Sequence, residues 1–312
     1  MKCLVCYKKL ASEETDYHVK CLSKVLGLEK MPQLDIDEQK LSDYARKMIG
    51  ANKAITGVQP KLSLWLEQSK RSLRFTIVDD KSNFIIKPQS ETYLSLPEDE
   101  DLCMHLAHEL GIEVAVHSLI RLRSGKLAYI TKRFDRDKTE KISCEDLCQL
   151  SESLTEHKYR GSYEKVGKII RQYSTQEGLD ALHFFQMVLF SFISGNADMH
   201  LKNFSMVEKM DGGFCLSPAY DLVSTRLVII GETEQMSLNL NGKKNRISRK
   251  DFDAFGSNLQ LTEKQIQNCY ASFIERIDKL IWWIDHSFLP TKHKKDFKKL
   301  IKERLELFRD RN

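Results

Sequence analysis

Gly195-Asn196-Ala197-Asp198-Met199-His200-Leu201-Lys202-Asn203-Phe204-Ser205 follows directly on residues 179–194, the most apolar stretch of the chain. That stretch is apolar on nearly every side at helical spacing, which predicts a buried helix at the centre of a helix-rich region, ended by Gly195. A core has no use for charge, yet Asp198, His200, Lys202 and Asn203 crowd into the next few residues, so the loop is a site candidate. Asp198 can take a proton from a hydroxyl, Lys202 can neutralise a transferring phosphoryl group, and Asn203 offers a neutral oxygen to a hard divalent metal. His200 also has a plainer reading, as a satisfied core imidazole.

Residues 204–207 and 213–216 read as a short strand pair, after which Pro218-Ala219-Tyr220-Asp221 supplies a second carboxylate. Upstream of the loop the period changes. Leu62, Leu64 and Leu66 alternate, and residues 73–78 and 83–87 complete three short runs expected as an antiparallel meander. Residues 98–110 carry Leu102, Leu106 and Leu110 on one helical stripe that stops at Gly111, and residues 114–121 with 126–132 read as a hairpin around Ser124-Gly125. Beyond Arg136 helices dominate. Ser143 with Asp146 resembles a helix cap, placing Cys144 and Cys148 on one helix; Ser162 caps another. Thr262-Glu263-Lys264-Gln265 opens a long helix running through Trp282 and Trp283. The expected class is α+β, two-lobed: an N-terminal Cys/His segment (1–35), a strand-rich N-lobe (36–135) and a helical C-lobe (136–312). The join at residues 134–141 is the expected ligand cleft. Residues 41–49 have weak helical character.

Lys87 closes the strand Phe84-Ile85-Ile86-Lys87, and Glu100 in the next helix is placed to hold it by an ion pair. Ala54-Ile55-Thr56-Gly57-Val58-Gln59-Pro60-Lys61 precedes them as a loop that would cover phosphates, although a single glycine makes it a poor glycine-rich signal. Taken singly, Lys87 reads as a snorkelling strand end, Glu100 as a helix N-terminal charge and Asp221 as a turn residue. Taken in order, strand Lys, helix Glu, Asp-x3-Lys-Asn and later Asp make the catalytic-loop and metal-loop order of protein kinases.

The net charge of +5 is local: residues 291–312 hold nine Lys/Arg against four Asp/Glu, and the remainder is balanced at 40 against 40. A basic terminal helix can touch nucleic acid or an acidic protein face, but a solvated Lys-rich face is the commoner meaning. No stretch is long and apolar enough for a membrane span, and Met1-Lys2-Cys3 leads into no signal region, so a cytoplasmic location is expected. There the eight cysteines read as ligands, reactive thiols or core residues before disulfides. Cys3-x2-Cys6, eleven residues, then His18-x2-Cys21 has the spacing of a structural zinc clip, the alternative being small buried thiols beside a surface histidine. Cys103, Cys144, Cys148, Cys215 and Cys269 are expected in the core.

The chain resembles the HipA-like serine/threonine kinases, toxins of bacterial toxin-antitoxin modules. The resemblance rests on Thr56-Gly57-Val58-Gln59-Pro60-Lys61-Leu62, Phe84-Ile85-Ile86-Lys87-Pro88, Leu106-Ala107-His108-Glu109-Leu110-Gly111, Arg133-Phe134-Asp135-Arg136, Glu145-Asp146-Leu147-Cys148-Gln149, the loop at 195–205, and Leu216-Ser217-Pro218-Ala219-Tyr220-Asp221. It covers roughly residues 50 to 225 in order. It implies Asp198 as catalytic base with Lys202 beside the γ-phosphate and His200 shaping the loop. Asn203 and Asp221 would be Mg2+ ligands and Lys87 the ATP lysine, with Thr56, Gly57 and Val58 over the phosphates. Lys132, Arg133 and Phe134 would form the hinge strand against adenine, and Tyr220 would lie in the nucleotide pocket. The family transfers phosphate from ATP to serine in proteins, aminoacyl-tRNA synthetases among them, and so arrests translation and growth.

Two departures stand out. Longer members carry an extra N-terminal subdomain before the phosphate loop; only some fifty residues precede it here, which resembles the short form, HipT, whose missing subdomain is a separate small protein. A DNA-binding antitoxin is the other implied partner. Family members usually carry an autophosphorylated serine three residues before the loop glycine, and that position is Ala54. Either self-inhibition has moved to Thr56, or a serine was replaced by alanine to hold the kinase unphosphorylated. Two other functions keep many of the same residues: a non-catalytic nucleotide-binding regulator that holds DNA or an antitoxin, and a small-molecule kinase.

Overall fold

Leu62, Leu64 and Leu66 all face inward from β1 (Leu62–Gln68), and this full apolar face decides the topology of the first sheet in the computed structural model. β1 pairs antiparallel with β2 (Leu73–Ile77) on one side and with β3 (Phe84–Lys87) on the other. The order is β2-β1-β3-β5-β4, with β4 (His117–Arg121) and β5 (Leu127–Lys132) as the hairpin around Gly125. The expected meander is therefore corrected: β3 skips β2 and returns to β1. β2 buries only Phe75 and exposes Arg74 and Thr76, a composition suited to an edge, whereas β1 needs neighbours on both sides.

The structure describes residues 1–32, 34, 61–69, 73–78, 81–90, 92–137 and 140–309. They form two compact units, one of residues 1–101, 115–141 and 286–289, the other of residues 102–114, 142–285 and 290–312. In the first, Leu28 packs with Leu62, Leu64, Phe84, Ile86 and Ile130 as a single apolar cluster. The N-terminal segment, with α1 (Val19–Leu26), is thus built onto the sheet that carries Lys87. Helix α2 (Leu96–Glu109) begins in this unit with four consecutive acids, Glu98 to Asp101, at the helix end where the backbone dipole favours negative charge.

The second unit is organised around α5 (Glu177–Ser194), preceded by α3 (Leu147–Leu150) and α4 (Tyr163–Tyr173) and followed by the short α6 (Thr225–Val228). Phe184, Phe185, Phe190 and Phe192 are buried around α5, and Phe184 and Phe185 both pack on Phe255 of α7 (Arg249–Asn258). Burying several such rings supplies roughly 1.5–3 kcal/mol each, so the helix that leads into the candidate loop is held firmly. β6 (Arg136–Asp137) and β7 (Glu140–Lys141) pair antiparallel at the end of the first unit, and a three-stranded antiparallel sheet, β10-β9-β8, lies in the second: β8 (Cys144–Asp146), β9 (Ser205–Glu208) and β10 (Phe214–Leu216). Here a second expectation is corrected. Cys144 is on a strand and only Cys148 is on α3; the cap is Asp146, whose carboxylate accepts from Gln149 N while the Gln149 side chain accepts from Asp146 N. Cys103, Cys148 and Cys269 are buried, but Cys144 and Cys215 are partly exposed.

The long helix expected through Trp282 and Trp283 is two helices, α8 (Glu263–Glu275) and α9 (Ile277–His286). Arg276 leaves helical geometry between them, and its guanidinium binds Leu110 O at 3.0 Å and Ser272 Oγ at 2.6 Å. The final basic helix, α10 (Thr291–Glu306), buries Phe297, Ile301, Arg304 and Leu305. Burial pushes the Arg304 guanidinium down to about 10 and its Nη1 caps Phe192 O at 2.9 Å, so one basic residue of this helix is structural. Among the described residues no helix is long and apolar enough to cross a membrane.

Asp251, on the first turn of α7, gives an acid-stability prediction. Against the cost of its burial, Lys243 Nζ, Asn241 Nδ2 and Ser248 hold its carboxyl at about 2, below its ordinary value of 3.8. A depressed carboxyl contributes its stability above the unfolded value and loses it as pH falls through the folded one. The chain should therefore lose on the order of 2 kcal/mol between about pH 4 and pH 2 from this group alone. In urea melts across that window Asp251→Asn should be less stable than the parent at neutral pH and should lose less on acidification.

Candidate active site

Gly195 takes φ 74° and receives the turn that stops α5, its N–H bonding to Ser191 O and Phe192 O. A Cβ here would lie 2.7 Å from Leu300 Cδ2 and 2.9 Å from Arg226 Cβ, so the position tolerates no side chain. Gly195→Ala is expected to cost roughly 1–3 kcal/mol in a urea melt through strain and overlap. Beyond the cap, Thr225 Oγ1 accepts from Ala197 N at 2.9 Å and donates to Gly195 O at 3.1 Å, and Ser224 Oγ donates to Ser194 O. The loop leaves the helix already clamped by the residues that follow Asp221.

Within the loop the Asn196 side chain accepts from Asp198 N at 3.0 Å, and the Asn203 Nδ2 donates to Asp198 O at 3.0 Å. With its nitrogen engaged, Asn203 keeps its amide oxygen as the acceptor. Asp198 Oδ1 accepts the Tyr159 hydroxyl at 2.6 Å, and burial together with this bond pushes the Tyr159 pKa up. His200 is buried with the Tyr159 ring edge-on at 5.0 Å; burial lowers its pKa despite the opposing charges of Asp198 and Asp221, so the imidazole is neutral near pH 7. Its Nδ1 is buried without a hydrogen-bond partner. Lys202 Nζ is paired with Asp146 at 2.6 Å.

Asp221 is brought to the loop by a chain of backbone and hydroxyl contacts. Ser217 N donates to Ser205 O at 2.8 Å, Ala219 N to Glu113 O at 2.8 Å, and the Tyr220 hydroxyl donates to Lys202 O at 2.8 Å while contacting Ser205 Oγ at 2.6 Å. Tyr220 is thus a brace beneath the loop, its hydroxyl pKa raised by burial. Asp221 has φ 57°, a left-handed conformation that costs a non-glycine residue about 1–3 kcal/mol and persists only where its surroundings fix it. Asp180 secures the same segment from the other side, its Oδ2 accepting from Leu216 N at 2.7 Å. An amide oxygen at Asn203 and a carboxylate at Asp221 are hard donors, the chemistry that Mg2+ takes.

The first unit holds the other candidates. Lys87 Nζ meets Glu100 Oε1 at 2.7 Å, the carboxylate fully buried and the ammonium nearly so. β3 and β5 pair Lys87 with Tyr129, whose ring lies 5.6 Å from the ammonium. Lys132 ends β5 opposite Phe84, and Arg133 N donates to Asn83 O at 3.0 Å. Arg133 grips Asp135 through Nε and Nη2 at 2.8 and 2.6 Å, and Arg136 joins at 2.7 Å. Burial opposes the charge on Asp135, but both guanidinium groups outweigh it and hold the carboxyl below its usual range. Residues 132–136 are therefore a pinned turn, and Phe134 sits half-buried within it. Thr56, Gly57, Val58 and the Ala54 position lie outside the described residues.

Sequence reasoning missed Tyr159 and Asp146, the partners of Asp198 and Lys202. They lie 39 and 56 residues upstream of the groups they touch, and no periodicity or spacing links them. At the N-terminus the ligand atoms of Cys3, Cys6, His18 and Cys21 all lie within 4.8 Å of one another.

An α+β chain with a strand lysine paired to a helix glutamate in one unit, and an Asp-x3-Lys-Asn loop tied to a later Asp in the other, has the parts of a kinase fold. The profile of the HipA-like C-terminal domain matches residues 53–281, and the chain belongs to that family. A putative kinase of Haemophilus influenzae is 27% identical over 284 residues, 81% of each chain. The serine/threonine-protein kinase toxin HipA of Shewanella oneidensis is 28% identical over 194 residues, 55% of this chain and 43% of that one. Among solved structures, the Shewanella oneidensis HipA in complex with HipB and operator DNA superposes with a TM-score of 0.67 at 22% identity, covering 81% of this chain and 64% of HipA. The Helicobacter pylori proinflammatory kinase CtkA follows at 0.53 and 18%, covering 72% of this chain and 86% of CtkA. The fold is that of these kinases.

Proposed function

We propose that the chain is an ATP- and Mg2+-dependent serine/threonine protein kinase, the toxin of a bacterial toxin-antitoxin module. The observation that carries the reading is the loop at 195–205: Asn203 tied to the Asp198 carbonyl lets one turn present a carboxylate and an amide oxygen together. A non-catalytic nucleotide binder could use the amide oxygen for Mg2+ but has no need of the carboxylate.

In the proposed reaction the oxygen of a substrate serine forms a bond to Pγ, the bond from Pγ to the β-phosphate oxygen breaks, ADP leaves, and Asp198 receives the hydroxyl proton. Asn203 and Asp221 would hold Mg2+, which supplies neutralisation of phosphate charge when bound. Lys87, fixed by Glu100, serves the nucleotide phosphates. Lys202 is held by Asp146 in the state described and exchanges that carboxylate for the γ-phosphate. Neutral His200 and Tyr220 keep the loop in shape, and Lys132 to Phe134 meet adenine. The acceptor proposed is a translation protein such as an aminoacyl-tRNA synthetase, in the cytoplasm. The proposed partners are a small protein equivalent to the family's N-terminal subdomain and a DNA-binding antitoxin, the latter by analogy with the complex of Shewanella HipA, HipB and operator DNA.

The test is transfer of labelled γ-phosphate from Mg-ATP into a bacterial lysate, with labelled bands identified by mass spectrometry. A discrete protein band is expected from the parent, and additional self-labelling from Ala54→Ser. ATP binding without transfer to any protein would instead favour a small-molecule acceptor or a non-catalytic regulator.

A further inference from the structure

The N-terminal segment contains a cluster that phosphoryl transfer does not use. Cys3, Cys6, His18 and Cys21 come from two short pairs eleven residues apart, yet their ligand atoms gather within 4.8 Å of one another. Cys6 Sγ lies 3.4 Å and Cys21 Sγ 3.8 Å from His18 Nδ1. A tetrahedral zinc with bonds of about 2.3 Å to sulfur and about 2.0 Å to nitrogen would have sulfur-to-nitrogen edges of roughly 3.5 Å, between the two separations observed. The other ring nitrogen, His18 Nε2, lies 3.1 Å from Lys9 O. A backbone carbonyl there takes the Nε2 proton and leaves Nδ1 as the lone-pair nitrogen facing the thiols, the outer-shell arrangement of zinc-bound histidine.

The backbone is shaped for the same purpose. Tyr7 follows the first cysteine pair at φ 59°, its N–H bonding to Cys3 O at 3.0 Å while Cys3 N bonds to Lys8 O at 2.9 Å. A tyrosine in this conformation is uncommon and needs something to fix it. Its ring is buried edge-on to Phe288, and its hydroxyl donates to Asp101 Oδ2 at 2.5 Å. Asp101 Oδ1 meets His117 Nδ1 of β4 at 2.7 Å. Asp101 directly follows Glu100, the partner of Lys87. Tyr17 extends the docking: its hydroxyl donates to Leu119 O at 2.7 Å, and Leu4 and Leu22 pack on Leu119.

We propose that Cys3, Cys6, His18 and Cys21 bind one structural Zn2+, and that this ion braces, through Tyr7, the first turns of α2 that carry Asp101 and Glu100. A segment of about thirty residues has too little core to hold its own shape, and a metal supplies the missing folding energy. Loss of zinc releases Tyr7 and loosens the helix end that fixes the Lys87 partner. The consequence for ATP rests on the kinase reading; the ion and its brace do not.

Protein purified without chelator should carry close to one zinc per chain. Removal of the ion and reconstitution with Co2+ should give the absorption of a tetrahedral thiolate site, displaced by one equivalent of Zn2+. Hydrogen exchange of residues 96–104 should speed at least tenfold on zinc removal. Tyr7→Phe should keep full zinc and still show faster exchange in that helix, by about threefold. A zinc content below one fifth under reducing conditions, with no cobalt spectrum, would overturn the site. Unchanged exchange in residues 96–104 both after zinc removal and in Tyr7→Phe would overturn the brace. Neither readout uses ATP, so both stand apart from the outcome of the kinase assay.

Discussion

Asp198→Asn should abolish phosphate transfer, lowering the rate about a thousandfold, within the ~10²–10⁴ range that a positioned general base contributes. The change is isosteric. Its backbone contacts, to Asn196 through the N–H and to Asn203 through the carbonyl, do not involve the side chain. The Tyr159 hydroxyl, 2.6 Å from Oδ1, can still donate to an amide oxygen. What disappears is the charge that, in the proposed reaction, accepts the serine proton. The variant should therefore melt within about 2 °C of the parent and bind ATP with unchanged affinity, while labelled bands vanish from the lysate. Retention of more than a tenth of the parent rate would remove Asp198 from the role of base. Tyr159→Phe sharpens the result: it frees one carboxylate oxygen without touching the charge, so it should leave the rate within a fewfold of the parent.

The loop was legible because its signal is local: an apolar helix, a glycine stop and four polar groups within six residues read in one pass. The strands were legible for the same reason, through the alternation of Leu62, Leu64 and Leu66, but their order was not. Whether β3 pairs with β2 or β1 depends on which strand carries the fuller apolar face in three dimensions. β8 escaped because three residues are too few for a period, and the break at Arg276 because a guanidinium reaching Leu110 O acts across 166 residues. Tyr159 and Asp146 belong to the same class of long-range contact. The Cys/His spacing of the N-terminal segment was local and readable; the contact of Tyr7 with Asp101, 94 residues away, was not.

Lys87 and Glu100 offer the second large effect, because stability and activity should separate there. The pair is 2.7 Å apart with the carboxylate fully buried. Removing one partner of such a pair leaves an uncompensated charge in the interior and typically costs ~3–5 kcal/mol. Lys87→Met and Glu100→Gln should therefore both lower the urea midpoint, the first more because it strands the carboxylate. Replacing both, Lys87→Met with Glu100→Leu, removes the stranded charge along with the attraction, and the double variant should recover to within about 2 kcal/mol of the parent. Transfer activity should not recover with it. If Lys87 neutralises the nucleotide phosphates, every background carrying Met at that position should fall at least a hundredfold in kcat/KM for ATP, about 2.7 kcal/mol of transition-state stabilisation. Glu100→Gln should lose less, since the lysine remains and only its aim is relaxed. A double variant that regained both stability and transfer would mean that the pair is a core device and that another cation serves the phosphates.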